Sequence, residues 1–206
     1  IGRLKVGLTK LISRFYLPNV YREFHKQYPG IELTLYEYTT ISLEDAVERG
    51  EVDLAIFPFF TKSDTLNYIP LITENMYLAV PKEHPVRNKL NSNHLEARLI
   101  DFKNDGFILL SKGLRTRMVT DALFTLAGFT PRIVFETQQS DTVNALVGAN
   151  MGVGIVSETV CLFNSGSSGC LYYKISDVDA SRQIVAAYNK KLYLSGASKA
   201  FINIFR

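Results

Sequence analysis

The chain has 206 residues, of which 47% are hydrophobic and 21% are charged, and its formal net charge is +3 at pH 7. This composition is ordinary for a globular protein with a hydrophobic core, and it excludes a disordered chain. The apolar runs are too short for a transmembrane helix and the basic residues too dispersed for a nucleic-acid surface, so this chain is predicted to bind neither membrane nor DNA.

The chain begins with a predicted strand and a predicted helix. Apolar and polar residues alternate over residues 4–8, which predicts the strand, and the polar residues 9–13 predict a turn. A helix follows and ends at the Pro-Gly pair of residues 29–30. Its predicted apolar face consists of Leu17, Val20, Tyr21, Phe24 and Tyr28.

A second strand, a second helix and a third strand follow directly. Residues 31–37 alternate apolar and polar side chains as a strand does. Ser42 and Asp45 are close to a capping box, which predicts a helix that starts there and ends at Gly50. Residues 52–57 form a nearly continuous apolar run, as expected for a parallel strand covered on both faces. The order βαβαβ predicts a parallel sheet with ligand positions at the carboxyl ends of its strands.

The second half repeats this alternation after a crossing. An extended segment at residues 71–81 and a polar segment at residues 82–97 predict passage into a second lobe. There, residues 107–110 and 132–135 predict strands, and residues 111–116 predict a polar turn. The helix between these strands is predicted to end at Gly128 and to bury Met118, Val119, Ala122, Leu123 and Leu126. The remaining predicted elements are strands at residues 172–175 and 184–188 and a helix capped by Ser195.

Residues 136–157 predict a strand end, a helix and a return strand. Ser140 is predicted as the N-cap, with Asp141 in the first turn, and Gly152 and Gly154 are predicted to end the helix. Because these glycines follow the helix, the pattern does not match a dinucleotide fingerprint. A polar turn before a helix N-terminus favours an anionic or carbonyl oxygen of a small ligand, and a capped surface helix is the alternative.

No catalytic residue, metal site or cofactor is predicted. His25, His84 and His94 lie in unrelated contexts, and the sequence contains no nucleophile elbow. The GSSG segment at residues 166–169 is typical of a loop. The only cysteines, Cys161 and Cys170, lack metal-ligand spacing and indicate a reduced cytoplasmic protein, with one disulfide around the loop at residues 164–169 as the alternative.

Five segments together resemble the effector-binding domain of LysR-type transcriptional regulators. They are GRLKVGLT at residues 2–9, LPNVYREFHKQYPGIEL at residues 17–33, LEDAVERGEVDLAI at residues 43–56, AGFTPRIVFET at residues 127–137, and VGANMGVGIVSETV at residues 147–160. The resemblance covers essentially the whole chain, and its specificity comes from the order and spacing of the segments. The sequence departs from the commonest pattern at Ser157-Glu158, where Leu-Pro often follows the glycine pair, so the strand end there is left open.

The resemblance implies an α/β fold with two Rossmann-like lobes joined by two crossing strands, as in type II periplasmic binding proteins. Lobe I would comprise residues 1–81 and 181–206, and lobe II residues 82–180. A small-molecule effector would lie between the lobes, and DNA would be bound only through an N-terminal winged helix-turn-helix that this sequence lacks.

The resemblance also implies self-association. Two copies of the domain would pair antiparallel, with the helix at residues 17–28 of one copy, whose exposed side includes Tyr16, against the second lobe of the other. The full-length protein would be a homotetramer.

The implied ligand site lies in the turns that follow the strands. Its predicted residues are Thr9, Lys10, Leu11, Ile12, Ser13, Thr39, Thr40 and Phe57 in lobe I, with Pro58 beside them, and Ser111, Lys112, Arg115, Gln138, Gln139 and Ser140 in lobe II, with Thr116 beside them. Hydroxyls, amides and cations suit a small polar ligand, and Lys10, Lys112 and Arg115 favour a small organic anion. The plainer alternative is that these residues cap turns or extend into solvent.

We therefore expect a cytoplasmic, ligand-sensing and oligomerising domain of a bacterial transcription regulator, and no enzyme. A free-standing solute-binding protein that delivers ligand to a transporter is the alternative. A small enzyme built on a similar fold is a third class, because a fold does not determine a function.

Overall fold

The computed structural model describes residues 2–88, 95–164 and 169–206. The chain forms two compact units: unit 1 comprises Ile1–Thr73 and Gln183–Arg206, and unit 2 comprises Glu74–Arg182. The sequence predicts the crossings after residues 81 and 180. In the structure they lie inside two long strands, because the first of these runs unbroken for 16 residues and the polar segment starts only after it. His94 and most of the GSSG segment lie outside the described residues.

Unit 1 begins with three strands and three helices and ends with a strand and a helix. Its elements are β1 (Gly2–Leu8), α1 (Lys10–Phe15), α2 (Leu17–Gln27), β2 (Ile31–Glu37), α3 (Thr40–Glu48), β3 (Leu54–Pro58), the first part of β4 (Leu66–Pro81), most of β10 (Ser181–Asn189) and α7 (Gly196–Phe205).

The sheet of unit 1 has the strand order β2-β1-β3-β10. Strand β1 is parallel to both β2 and β3, with Gly2 opposite Ile31 and Val6 opposite Leu54, while β10 is antiparallel to β3. The predicted βαβαβ unit with a parallel sheet is thus confirmed, and the carboxyl ends of β1, β2 and β3 lie at one edge.

Helices cover both faces of this sheet. Leu54 and Ile56 of β3 pack in one hydrophobic cluster with Phe24 of α2, whereas Ala55 and Phe57 pack in a second cluster around α3. All five residues of β3 are buried, which explains its continuous apolar sequence. The cap of α7 at Ser195 is confirmed, since the Ser195 hydroxyl accepts a hydrogen bond from the Ser198 N–H at 3.0 Å.

Two local predictions for unit 1 are wrong. Residues 9–13 are not a turn, because α1 starts at Lys10. Helix α3 starts two residues before Ser42, because Thr39 is its N-cap and the Thr39 hydroxyl accepts a hydrogen bond from the Ser42 N–H at 3.4 Å.

Helix α2 buries less of its predicted apolar face than expected. Val20 and Phe24 are buried, whereas Tyr21 and Tyr28 are 41% and 38% exposed. Tyr16, predicted on the exposed side, instead stacks on Phe205 with ring centroids 5.5 Å apart. Val20 and Phe24 belong to the hydrophobic cluster that contains Leu54 and Ile56 of β3, whereas the rest of the predicted face keeps contact with solvent.

The described residues of unit 2 form three α-helices and the larger share of the strands. Its elements are the second part of β4, β5 (Glu96–Ala97), β6 (Gly106–Leu110), α4 (Arg115–Ala127), β7 (Arg132–Thr137), α5 (Ser140–Gly148), β8 (Val153–Ser157), α6 (Glu158–Asn164), β9 (Cys170–Ile175) and two 3₁₀ turns, Pro85–Asn88 and Leu99–Phe102.

The sheet of unit 2 has the strand order β4-β8-β6-β7, with β7 at its edge. Strand β6 is parallel to β7 and to β8, while β4 is antiparallel to β8 and β9. The carboxyl ends of β6, β7 and β8 therefore lie at one edge, as they do for the three parallel strands of unit 1.

Helix α4 turns a different face to the core from the one predicted. It buries Arg117, Thr120, Leu123 and Phe124, whereas Leu126 is 66% exposed. The polar residues on the buried face are satisfied: the Thr120 hydroxyl donates to the Arg117 carbonyl, and Arg117 has carboxylate and carbonyl partners. The prediction rested on the spacing of apolar residues, and the buried face was not predicted because it includes the polar residues Arg117 and Thr120.

The segment around α5 also departs from prediction. Gln139, not Ser140, is the N-cap, and the helix ends at Gly148, before the glycine pair. Gly154 lies inside β8, where a Cβ atom would meet Val143 Cγ1 at 2.8 Å, so its role is close packing of helix against strand. The strand end left open by the sequence falls at Ser157, and α6 starts at Glu158.

Candidate functional site

In unit 1, two predicted site segments lie where β1 and β2 end. Thr9 is the extended N-cap residue of α1, and its carbonyl accepts a hydrogen bond from the Ser13 N–H at 2.9 Å. Thr39 occupies the same position before α3. Because the two strands are parallel neighbours, both helix starts lie at one sheet edge, and helix N-termini carry free N–H groups.

The predicted residues of unit 1 differ in access to solvent. Lys10 and Thr39 are exposed and Thr9 and Leu11 are half-buried, whereas Ser13 and Thr40 are buried. Ile12 and Phe57, expected to cover an apolar part of the ligand, are 2% and 0% exposed and belong to the hydrophobic clusters. Their side chains complete the core that supports the edge, which leaves Leu11 as the accessible apolar side chain of the three.

In unit 2, α4 and α5 start after the neighbouring strands β6 and β7. Their N-caps are Leu114 and Gln139, and within residues 2–88, 95–164 and 169–206 neither helix has a side-chain capping hydrogen bond. Gly113, just before α4, has φ 92°, a left-handed conformation that glycine adopts without strain. The two helix starts thus present backbone N–H groups and positive dipole ends at one edge.

The predicted residues of unit 2 surround these helix starts. The Ser111 N–H donates to the Thr137 carbonyl at 2.7 Å, which joins the ends of β6 and β7. Lys112, Gln138 and Gln139 are exposed, while Ser111, Arg115 and Ser140 are half-buried. The Arg115 guanidinium approaches Met118 Sδ at 3.7 Å.

Ser157 is a further site candidate, which no sequence motif singled out. Ser157 ends β8 at the edge shared with β6 and β7, and its side chain is 3% exposed. Its hydroxyl has no hydrogen-bond partner among the described residues. A buried hydroxyl at that edge is a donor and acceptor for a polar ligand. The only signal in the sequence was the departure from Leu-Pro at this position.

Buried charge lies next to the site in unit 2. Burial lowers the pKa of the Arg117 guanidinium, but hydrogen bonds to Asp121 and Glu136 outweigh burial, and the net pKa is raised. Desolvation raises the pKa of the Cys161 thiol, and the charge of Glu158 adds to this effect. Cys161 and Cys170 are both buried and are not joined in a disulfide in this structure, and the Cys170 thiol donates to the Asn144 carbonyl at 3.3 Å. Their reduced state stays a prediction.

The described residues contain no cluster of three or more histidine, cysteine, aspartate or glutamate side chains placed to hold a metal ion. Among those residues no helix is long and apolar enough to cross a membrane.

Solved structures with the same fold are ligand-binding α/β domains. The effector binding domain of QuiR in complex with shikimate has a TM-score of 0.85 and 22% identity, covering 99% of this chain and 95% of that one. The BenM effector binding domain with its effector benzoate has a TM-score of 0.86 and 18% identity, covering 100% and 90%. This likeness confirms the predicted α/β fold class, since the match extends over essentially the whole of this chain.

The family model described as "LysR substrate binding domain" matches residues 1–206, and the chain belongs to this family. The uncharacterized HTH-type transcriptional regulator YcgK of Bacillus subtilis is 30% identical over 217 residues, with 99% of this chain and 66% of YcgK covered. The transcriptional dual regulator GltC of the same organism is 31% identical over 159 residues, with 77% and 51% covered. The chain thus spans about half to two thirds of the length of these relatives.

Proposed function

We propose that this domain senses a small organic anion and thereby controls DNA binding by a regulator of which it is one part. The observation that carries the proposal is the pair of helix starts α4 and α5 in unit 2, which follow the neighbouring strands β6 and β7 and have no side-chain capping hydrogen bond among the described residues. Free N–H groups and helix dipoles favour a negatively charged oxygen.

The side chains around these helix starts support an anion over a neutral ligand. In unit 2, Lys112 is exposed and Arg115 is half-buried, and the two flank the start of α4. A guanidinium can hold a carboxylate with two parallel hydrogen bonds.

The ligands of structural neighbours are chemically consistent with this proposal. Shikimate and benzoate, bound by QuiR and BenM, are both carboxylates carried on a six-membered carbon ring. Binding without turnover is proposed, because the relatives are named as transcriptional regulators. For the same reason we place the protein in the cytoplasm, with its DNA, and disfavour a transporter-associated solute-binding protein.

We also infer that two copies of the domain associate. In unit 2, Ile133, Val134 and Phe135 of the edge strand β7 are 39%, 42% and 49% exposed. In unit 1, helix α2 exposes Tyr21 and Tyr28. Exposed apolar side chains on an edge strand and on a helix are typical of protein interfaces, and family resemblance favours a second copy as the partner.

Calorimetric titration with a panel of small carboxylates tests the ligand proposal. Arg115→Ala and Ser140→Ala are expected to weaken binding of the best ligand by about tenfold or more, because each removes a hydrogen-bonding group from a helix start of unit 2. The matched controls are Arg132→Ala, at the amino end of β7, and Thr125→Val, whose hydroxyl bonds to the Asp121 carbonyl within α4. Full affinity in both site variants, or tight binding only of a cation, would contradict the proposal.

A further inference from the structure

Glu74 and Arg182, the first and last residues of unit 2, form a buried ion pair. Arg182 Nε and Nη2 lie 2.8 Å and 2.6 Å from the same oxygen, Glu74 Oε1, and both side chains are 3% exposed. Removing two charges from water is costly, and good geometry together with further hydrogen bonds offsets that cost. This ion pair therefore joins the strands by which the chain enters and leaves unit 2, and both of its side chains require further hydrogen bonds to be stable in the buried position.

Two helix starts supply those partners. Glu74 Oε2 accepts a hydrogen bond from the Thr159 hydroxyl at 2.8 Å and faces the Thr159 N–H at 3.4 Å, which ties the pair to the start of α6. Arg182 Nη1 donates to the Thr116 hydroxyl at 3.1 Å, which ties the pair to the first turn of α4.

A reciprocal contact reinforces the connection between β4 and α6. Glu158 Oε2 accepts hydrogen bonds from the Asn75 N–H at 2.9 Å and from Asn75 Nδ2 at 3.4 Å. Glu74 and Asn75 are neighbours on β4, and Glu158 and Thr159 are neighbours on α6, so each pair presents its carboxylate to the other. This double contact fixes β4 to α6 at the crossing, and Arg182 is the group that extends the connection to α4.

We propose that Arg182 is a positioning residue for effector recognition. It couples the first turn of α4 to β4 and β10, the two strands by which the chain enters and leaves unit 2. The effector part of this proposal rests on the proposed function, since Thr116 is the second residue of the helix whose start we assign to ligand binding. A ligand that moves this turn shifts the Thr116 hydroxyl, which accepts the hydrogen bond from Arg182 Nη1. Because the guanidinium is planar and rigid, a shift at Nη1 also changes the hydrogen bond from Nε to Glu74. Arginine suits the role because Nε and Nη2 hold one partner while Nη1 holds another, which a lysine ammonium on a flexible stem does less rigidly.

Residue-resolved hydrogen exchange on the unliganded chain tests the coupling. Thr116→Val removes the acceptor for Arg182 Nη1 and is expected to speed exchange of the Asn75 and Met76 amides by about tenfold. Those amides bond to Glu158 Oε2 and to the Ala180 carbonyl and so report on β4 at the crossing. Thr116→Ser, which keeps the hydroxyl, is expected to retain wild-type exchange.

Thr125→Val is the matched control, because it also removes a threonine hydroxyl from α4, and that hydroxyl donates to the Asp121 carbonyl of the same helix at 3.1 Å. Equal acceleration of the Asn75 amide in both valine variants would show general loosening of α4 and overturn the coupling. Unchanged exchange in Thr116→Val would overturn it as well.

Benzoate and sulfate as probes separate this inference from the proposed function. In the wild type, a probe that protects amides at residues 115–118 is expected also to change exchange at Asn75. Arg182→Lys changes a residue outside the proposed ligand site and is expected to lose the second effect while keeping the first. Joint changes that persist in Arg182→Lys overturn the inference. If neither probe nor any panel carboxylate protects residues 115–118, the proposed ligand site fails, and the unliganded comparison still decides the coupling.

Discussion

Arg117 Nε lies 2.7 Å from Asp121 Oδ1, one turn along α4, although the Arg117 side chain is only 3% exposed. The same guanidinium donates to the Glu136 carboxylate and to the Leu110 carbonyl at the end of β6. A buried cation is thus held by two partly exposed carboxylates and a strand carbonyl, and it links α4 to β6 and β7 directly beneath the candidate site.

The first prediction concerns this buried cation. Asp121→Asn combined with Glu136→Gln is expected to lower the free energy of unfolding by about 3 kcal/mol, because the guanidinium would remain buried without a counter-charge. Each single substitution is expected to cost about 1 kcal/mol, since the other carboxylate remains. Urea denaturation at neutral pH measures these differences.

The exposed pair Arg3–Glu32 provides the control for that experiment. Its side chains are 65% and 61% exposed, so Glu32→Gln is expected to change stability by roughly 0–1 kcal/mol. A double variant no less stable than the Glu32→Gln control would show that the buried cation does not depend on its carboxylates.

The second prediction concerns Gly154 in β8. Gly154→Ala places a methyl group 2.8 Å from Val143 Cγ1 and 3.2 Å from Val147 Cγ2, on the helix that packs over the strand. Overpacking of this kind typically costs about 1–3 kcal/mol, and thermal unfolding is expected to shift down accordingly. Gly196→Ala is the control, because no described atom lies within 4 Å of its added Cβ. Equal melting temperatures for the two variants would contradict the packing explanation.

The third prediction concerns the pH dependence of stability. Burial, and after it the charge of Glu158, raises the pKa of the Cys161 thiol above its ordinary value of 9.0. Above about pH 9 the thiol ionises in the unfolded chain while it stays neutral in the folded chain. The contribution of Cys161 to the free energy of unfolding is therefore complete below about pH 9 and is lost as the pH rises.

Comparison of the wild type with Cys161→Ala isolates this effect. The stability of the wild type relative to Cys161→Ala is expected to fall by about 1 kcal/mol per pH unit above pH 9. The reason is that ionisation of the Cys161 thiol stabilises the unfolded state of the wild type and has no counterpart in the variant. Chemical denaturation between about pH 8 and about pH 10.5 under reducing conditions measures it. A stability difference that stays constant across that range would rule out Cys161 as the source.

The fourth prediction concerns association of two copies. Val134→Lys places a charge in the middle of the exposed apolar strand β7 and is expected to raise the dimer dissociation constant by about tenfold or more. Sedimentation at tens of micromolar would detect the shift toward monomer. Leu192→Lys, at a 55% exposed position of unit 1 away from β7 and α2 in sequence, is the control. A wild type that is monomeric at these concentrations would contradict self-association.

Local sequence determined most of the fold. The parallel strands β1, β2 and β3, the cap at Ser195 and the helix end at Gly128, which has φ 79°, are set by alternation, capping chemistry and glycine conformation within a few residues. The positions of the candidate site at strand ends follow from the same pattern, because the carboxyl ends of parallel strands share one edge. Family membership followed from segments that are each short but ordered along the chain.

Tertiary structure alone decided which of these side chains are accessible and which charges are buried. Ile12 and Phe57 look like ligand contacts by position, yet packing between helix and sheet places both in the core. Arg117 occupies a buried face of α4 because carboxylates from a neighbouring turn and strand reach it. Glu74 and Arg182 are 108 positions apart, and no local pattern relates them. Their pairing arises only when the chain enters and leaves unit 2 at one point, where each buried charge requires the other.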